Sequence, residues 1–301
     1  MVRQLIRLGR RIYDTGNWRE ARRLVVFLGR GVVHHGAIEG LYDWFEADEE
    51  RKKILVRNPF PIEQMTRAFF YAGSTTAERA QLIRSHFSLL FELFPAEWAV
   101  RLGCLDAHYE IWRETEPDSD WFAELTFGPG QRKEGLLSLR MMLGTSELYQ
   151  IMFWLARDKK GEPSLFLGAM QGPNMKNAKE IVKETTKRAH RYRTKNLILY
   201  MMQAVARSMG LKHIYAVSNA GYYANNHMRR DRKLKTDFGA FWEEAGGHVT
   251  EDARFYELPL RETRKTMEEV PTRKRAVYRK RFAFQDDVDA QIEGKMRSIL
   301  K

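Results

Sequence analysis

The sequence of 301 residues contains a single cysteine, Cys104. One cysteine cannot form a disulfide within the chain, so nothing in the composition indicates an oxidising compartment. The sequence also lacks a run of roughly 18 apolar residues, the length that spans a bilayer. The nearest run, LVVFLGRGVV, is interrupted by Arg30, and the basic N-terminus lacks the continuous apolar segment of a signal peptide. We therefore expect a cytoplasmic protein, with peripheral contact to the inner membrane left open.

Several motifs that name a reaction are also missing. There is no G-x-S-x-G nucleophile elbow, no phosphate-binding P-loop and no dinucleotide-binding G-x-G-x-x-G. The eight histidines do not fall at metal-ligand spacings with the cysteine or with carboxylates. The sequence therefore predicts no bound metal, and a reaction has to be sought in the arrangement of the fold.

Positive charge is in clear excess. The chain has 51 basic and 39 acidic residues, which gives a net charge of +12. A surface of this sign attracts nucleic acid, anionic lipid headgroups or an acidic carrier protein, and the charge alone does not choose among them. KRAVYRKR and HMRRDRKLK combine basic residues with tyrosine or histidine but carry no nucleic-acid-binding motif, so we expect non-specific affinity at most. Solvated helix faces are the alternative explanation.

Residues 1–103 show helical periodicity. WREARRLVVFLGRGVV, PIEQMTRAFFYAG and TTAERAQLIRSHFSLLFELF each repeat apolar residues every three to four positions. Ser74-Thr75-Thr76, with Glu78 close behind, predicts the start of the last of these helices. We therefore predict a helical N-terminal region.

The pattern changes to short aromatic and β-prone runs over residues 104–260. DAHYEIWRET, WFAELTFG, GLLSLRMML and LYQIMFWLARD are separated by turn residues, which predicts an antiparallel meander. SLFLGAM, two helical segments and HIYAVSN then predict a β-α-α-β crossover, followed by a helix, FGAFWEEAGG, and a strand, ARFYELPL. This order is that of the GNAT acyltransferase fold, in which the acyl thioester lies between two splayed strands. From residue 261 to 301 we expect a basic tail, either an exposed helix or partly disordered.

Six short segments of the C-terminal half resemble the VirK/YbjX family of bacterial proteins. They are GAMQGPN, the stretch 185–199 with HRYRTKNLIL, VSN, KLKTDFGAFWEEAGG, FYELP and KRAVYRKR. The resemblance implies a role in envelope integrity, virulence and resistance to antimicrobial peptides, and it implies no reaction. The chain departs from the family pattern at Tyr222 and Tyr223, where relatives often carry a histidine that His227 could replace.

The exits of the two crossover strands are where we expect a ligand. We predict that Arg191, Arg193 and Lys195 bind an anionic group, because 185–200 contains no acidic residue, and that Gln171 and Asn219 orient its neutral part. The full set of predicted ligand-binding residues is Gln171, Gly172, Asn174, Arg188, Arg191, Arg193, Lys195, Asn196, Asn219, Lys235 and Asp237. The alternatives to ligand binding are an ordinary turn after the first strand, a solvated loop at the arginines and a helix N-cap at Asp237.

Three residues are candidates for acid–base catalysis. His108 lies on the first strand, His190 lies in the basic cluster, and Glu243 could be a base if burial raised its pKa, although pairing with a basic residue is the better expectation. Trp242 is expected in the core rather than against a ligand.

Two classes of function remain open. One is an acyl or aminoacyl transferase that uses an acyl thioester or aminoacyl donor. The coenzyme A pyrophosphate loop, Q/R-x-x-G-x-G/A, is absent from 171–180, which favours a donor attached to an acidic carrier protein or to tRNA. The other is a non-catalytic basic protein that binds anionic lipid or another polyanion.

Overall fold

The computed structural model describes residues 2–105, 107–225 and 237–301. Within these ranges the chain forms eleven α-helices and one eight-stranded mixed sheet, which is the predicted α+β class. The helices are α1 (Val2–Ile12), α2 (Trp18–Val33), α3 (His35–Glu46), α4 (Glu49–Arg57), α5 (Phe60–Thr66), α6 (Thr76–Leu93), α7 (Ala96–Gly103), α8 (Ala178–Arg188), α9 (Thr194–Ser208), α10 (Phe238–Glu244) and α11 (Arg275–Arg297). The strands are β1 (His108–Arg113), β2 (Trp121–Thr126), β3 (Leu137–Leu143), β4 (Ser146–Arg157), β5 (Pro163–Gln171), β6 (His213–Val217), β7 (His248–Val249) and β8 (Phe255–Leu258).

The N-terminal helices follow the predicted periodicity, with one difference. At the start of α6, the Thr75 hydroxyl accepts from the Glu78 amide at 3.2 Å and the Glu78 carboxylate accepts from the Thr75 amide at 2.7 Å, which is the predicted capping box. Helix α5 ends at Thr66, so the prediction of a helix through FFYAG is wrong. The cause is aromatic packing, since Phe70 and Tyr71 lie against Trp154 of the sheet.

The sheet has the strand order β1-β2-β3-β4-β5-β6-β8-β7. Strands β1 to β5 form an antiparallel meander, β5 and β6 pair in parallel, and β8 pairs antiparallel with both β6 and β7. Helices α8 and α9 form the crossover between β5 and β6. The element order that led us to the GNAT fold is therefore confirmed, while the two-residue strand β7 was missed because it is too short to show a period.

One hydrophobic core runs through both halves of the chain. Helix α6 packs on β4, and the Nδ1 atom of His86 accepts a hydrogen bond from the backbone amide of Leu155 at 3.1 Å. Buried side chains from α1 to α7 belong to the same cluster as those of the sheet. The division at residues 103 and 104 stays a prediction, and the two regions share their interior.

The C-terminal segment is helical, and it is not an exposed arm. Helix α11 packs against α9 and β1, and Val288, Ile292 and Met296 are buried there. The side chain of Gln291 bonds the backbone of Arg113 in both directions, at 3.1 and 2.9 Å, and so covers the edge strand β1. The high charge of this segment hid its apolar stripe from the sequence prediction.

Candidate functional site at the opening between β5 and β6

The pairing of the two parallel strands ends before β5 does. Pairing between β5 and β6 stops at Leu167 and Ala216, although β5 continues to Gln171. Gly168 forms a bulge at this point, because Leu167 pairs with Phe153 and Ala169 already pairs with the preceding residue of β4. The four residues from 168 to 171 therefore have no partner on β6, which itself ends at Val217, and we call this unpaired region the opening.

Glu134 lies at this opening. Its backbone oxygen packs so closely on Gly168 that a Cβ there would lie 1.8 Å from it, so only glycine fits. Tyr222, which follows β6, donates a hydrogen bond to the Glu134 Oε1 atom at 3.3 Å, and Tyr223 also hydrogen-bonds the carboxyl group. Glu134 thus connects the bulge of β5 to the chain that leaves β6.

Burial sets the proton affinity of this carboxyl group. Glu134 is 3% exposed, and burial raises its pKa to about 7, although Lys133 and the two tyrosines act in the opposite direction. Burial also raises the pKa of Tyr222, and the neighbouring Glu134 carboxylate adds to the effect. At neutral pH the tyrosine therefore stays protonated, while the carboxyl group exists in both protonation states.

The N-terminal region holds Glu134 in place. The Gln64 amide of α5 donates to the backbone oxygens of Arg132 and Gly135, at 2.8 and 2.9 Å. Arg132 also forms a 2.8 Å ion pair with Glu63, which is fully buried. These contacts fix the loop before β3 from both sides of Glu134, so the helical region builds part of the candidate site.

A groove of about 750 Å³ lies on the face of the sheet that α6 covers in part. Tyr71 lines this groove and also forms a backbone bridge with Tyr222, so the groove borders the Glu134 cluster. The Trp154 and Phe166 rings stack in its wall with centroids 5.5 Å apart. Its charged lining includes Arg84, Glu92, Arg157, Asp158, Lys159, Asp252 and Arg254. The lining therefore combines aromatic rings with charged side chains of both signs.

Two of the predicted ligand residues at the strand exits, Asn219 and Asp237, bond to each other and to the start of α10. Asn219 donates to the Asp237 carboxylate at 2.7 Å and accepts from the Phe238 amide at 2.8 Å. Asp237 also accepts from the Ala240 amide, so it is the N-cap of α10 as the alternative held. Gln171, the last residue of β5, and Gly172 and Asn174, which follow it, are exposed. Lys235 and His227 lie outside the described residues.

The basic cluster divides between two acidic partners, so the expectation of uncompensated charge is wrong. Arg193 and Lys195 both pair with Glu244 of α10, at 2.5 and 3.2 Å. Arg188 pairs with Glu114, whose Oε1 atom lies 3.2 Å from the arginine Nε. Both carboxylates come from distant parts of the chain. A count of acidic residues within 185–200 therefore does not include them.

The other members of this cluster contact the chain through their backbone. Arg191 has a positive φ of 64°, and its carbonyl accepts from Arg281 at 2.8 Å. Asn196 lies in the first turn of α9, and its Oδ1 atom is buried without a hydrogen-bond partner among the described residues. Anion binding by these residues stays a prediction.

The three predicted catalytic residues lie apart from one another. The Nδ1 atom of His108 is 3.0 Å from Glu124 on an exposed part of β1. His190 lines a cavity of about 770 Å³ between the crossover and α11, where burial and the charges of Lys280 and Arg281 lower its pKa. Glu243 accepts a hydrogen bond from Tyr256 at 3.0 Å, and its predicted pairing with a basic residue stays a prediction, because Lys235 and the neighbouring arginines lie outside the described residues.

Glu134 was missed in the sequence. It precedes the apolar run of β3, whereas we sought polar groups where strands end. The sequence feature that could have indicated it is Gly168 in GAM, because a glycine inside an apolar strand indicates a bulge or a close approach of another backbone. Trp242, in contrast, is buried as predicted and donates to the Val217 carbonyl at 3.0 Å.

One group of side chains in the described part of the chain has ligand atoms close enough for a metal. Asp158, Glu162 and His213 place these atoms within 4.8 Å of one another, at the end of the β5–β6 pair away from the opening. Both imidazole nitrogens of His213 already lie near carboxylates, at 2.8 Å from Glu162 and 2.6 Å from Glu257. Mutual pairing therefore accounts for the positions of these side chains.

The fold is that of a mixed α/β protein whose sheet contains one parallel strand pair, β5 and β6. The family described as a protein of unknown function, DUF535, matches residues 16–294, and the chain belongs to this family. The uncharacterized protein YbjX of Escherichia coli K12 is 28% identical over 250 residues, which cover 81% of this chain and 74% of that protein. An uncharacterized protein of Haemophilus influenzae Rd is 29% identical over 147 residues, 49% of this chain and 48% of that protein.

A more distant relative carries a descriptive name. The membrane protein LapB of Mannheimia haemolytica is 23% identical over 193 residues, 62% of this chain and 79% of that protein. No solved structure matches the chain. None of the described helices is both long and apolar enough to cross a bilayer.

Proposed function

We propose that this protein is a GNAT-like acyl or aminoacyl transferase with Glu134 as its general base. The observation that carries the proposal is the position of a buried carboxyl group, with a pKa of about 7, at the opening between β5 and β6. A base whose pKa lies near the working pH combines the ionised form with enough basicity to accept a proton. Burial next to two tyrosines is an arrangement that serves catalysis better than stability.

The reaction follows from these groups. The acceptor amine attacks the carbonyl carbon of the donor, and Glu134 takes the proton that the nitrogen loses. The bond from the carbonyl carbon to the donor sulfur, or to the ester oxygen of an aminoacyl donor, then breaks. The proton passes from Glu134 to that leaving atom, which restores the carboxylate. Tyr222 keeps its own proton and holds the carboxyl group in position through the hydrogen bond to Oε1.

The donor is carried by a larger acidic molecule in this proposal. The loop that grips the coenzyme A pyrophosphate is absent from 171–180, whereas the net charge of +12 attracts an acidic carrier protein or tRNA. The acceptor belongs to the cell envelope. In support of this, the relative from Mannheimia haemolytica is named a membrane protein, and the chain resembles a family associated with envelope integrity.

Hydrolysis or transfer from several donor classes tests the proposal. Acyl carrier protein thioesters, coenzyme A thioesters and aminoacyl-tRNA are each incubated with the purified protein, and thiol or tRNA release is measured. We expect turnover with a carrier-bound donor and a loss of roughly a hundredfold or more in the Glu134→Gln variant, since general bases contribute about a hundredfold to ten-thousandfold.

Glu147→Gln is the matched control for this experiment. Burial also raises the pKa of Glu147, but this residue lies at the start of β4 and pairs with Arg140. Its replacement should leave turnover unchanged. If no donor class is turned over, or if both variants lose activity equally, the protein is better explained as a non-catalytic binding protein.

A further inference from the structure

Helix α2 has a stripe of exposed apolar side chains along one face. Trp18, Val25 and Val32 are 78%, 68% and 63% exposed, and their spacing of seven residues places them on one face. Val26 and Val33 extend the same face. The opposite side of α2 is used for packing, since Phe27 and Gly31 are buried. Apolar side chains grouped on a solvent-facing helix indicate a binding surface.

Arginines border this stripe. Arg19, Arg23 and Arg30 follow the stripe along one flank of α2, and Arg22 lies within it. Helix α1 adds Arg3, Arg7, Arg10 and Arg11, and all eight arginines of residues 2–33 are exposed. The same segment contains only Asp14 and Glu20 as acidic residues. Such a combination of one apolar face and a basic flank is typical of helices that lie in the plane of a membrane interface.

Helices α1 and α2 pack closely against each other and form what we call the α1–α2 hairpin. A Cβ on Gly9 of α1 would lie 2.3 Å from a Leu24 methyl group, and one on Gly31 would lie 2.9 Å from Leu5. The two glycines therefore allow α1 and α2 to pack at close range. Because the inner sides of both helices are occupied by these contacts, the stripe cannot turn inward without breaking the hairpin.

We propose that the α1–α2 hairpin docks on an anionic lipid surface, with Trp18, Val25 and Val32 inserted among the acyl chains and the flanking arginines on lipid phosphates. The charge of the flank favours this occupant over a second copy of the chain, which would bring two sets of arginines together. Arginine side chains suit phosphate because their donors form paired hydrogen bonds with it. The inference is independent of the transferase chemistry proposed above.

Vesicle co-sedimentation of the full chain tests this docking surface. Vesicles of phosphatidylcholine alone are compared with vesicles that also contain phosphatidylglycerol. We expect binding to the anionic vesicles that weakens as salt is added. The double variant Val25→Glu/Val32→Glu should bind at least about tenfold more weakly, since both its charges face the lipid. Val249→Glu, at a valine of β7 that is 50% exposed, should bind like the unmodified protein.

The arginines are tested separately from the stripe. Arg19→Gln/Arg22→Gln should weaken binding by about tenfold or more, because each basic residue near an anionic surface contributes. Arg279→Gln/Lys280→Gln removes the same charge from an exposed part of α11 and should have a much smaller effect. Equal losses in the two double variants would overturn the proposal, as would the absence of binding to anionic vesicles. A dimer that Val25→Glu/Val32→Glu converts to a monomer would instead assign the stripe to a second copy.

Discussion

At the scale of single residues, buried polar groups separate structural roles from candidate catalytic ones. His86 is fully buried, accepts a backbone hydrogen bond and has a pKa lowered to about 3 by burial. Glu134 is also buried, but its pKa of about 7 leaves it able to exchange protons at neutral pH. The sequence contains eight histidines and many glutamates, and nothing in their local pattern shows which of them enters the interior.

His86 predicts a loss of stability in acid. Its pKa in the folded state lies below the unfolded value of 6.5. Between these two values the unfolded state binds a proton at His86 and the folded state does not. The unfolding free energy should therefore fall as the pH drops below about 6.5, by up to about 1.4 kcal/mol per pH unit from this residue. Urea unfolding of the unmodified protein and of His86→Asn, which keeps an acceptor near Nδ1, measures the difference in slope. Identical slopes would show that His86 does not titrate in this way.

His213 predicts the opposite dependence. Burial lowers its pKa, but the hydrogen bonds to Glu162 and Glu257 outweigh burial and raise it above the unfolded value of 6.5. The stabilising contribution is therefore complete below pH 6.5 and disappears as the pH rises through the folded value. His213→Gln should lose this contribution and flatten the pH dependence of unfolding on the neutral-to-alkaline side. Retention of the full dependence in the variant would assign it to other groups.

At the scale of elements, the bulge in β5 connects sequence to site. Gly168 lies in the segment GAMQGPN, which carries part of the family resemblance, but the sequence alone does not show the role of this glycine. The structure shows that it admits the Glu134 backbone and ends the pairing with β6 nearby. The predictable parts of the chain were the regular ones, because strands and amphipathic helices carry a period. The loop before β3 has no period, and its position depends on contacts with α5 that lie about 70 residues away.

Gly168→Ala should damage both the fold and the site. The added Cβ would lie 1.8 Å from the Glu134 oxygen and 3.0 Å from the Trp154 ring, so the backbone must move. We expect a destabilisation of about 1–3 kcal/mol, the usual cost of overpacking, measured by urea unfolding. Gly36→Ala is the control, since a Cβ there meets nothing within 4 Å in helix α3, and it should be neutral or slightly stabilising. If Gly168→Ala also proved neutral, the close approach of Glu134 would be incorrect.

At the scale of the whole molecule, the N-terminal helices and the sheet depend on each other. The change of periodicity in the sequence predicted two regions, and the structure has helices before this change and strands after it. Periodicity does not show how much buried surface the two regions share. Helix α6 covers β4, and α5 holds the loop that carries Glu134. The C-terminal helix shows the same limitation, because its charge hides the three apolar residues that attach it to the sheet.

A fragment of residues 104–301 should therefore fail to fold. Removal of α1 to α7 would expose the β4 face and leave the Glu134 loop without Gln64 and Glu63. Circular dichroism during heating should show no cooperative transition for the fragment, in contrast to the full chain. A sharp transition in the fragment would establish the α/β region as an independent domain.

The central claim is that the opening between β5 and β6 receives the donor. Photo-crosslinking locates it most directly, with an acyl-pantetheine thioester that carries a diazirine on its acyl chain. After irradiation and proteolysis, mass spectrometry should find the label in the peptides that line the opening, around residues 165–172 and 217–223, and an excess of unlabelled probe should suppress it. Label confined to other parts of the chain, or label that the competitor does not reduce, would contradict the account.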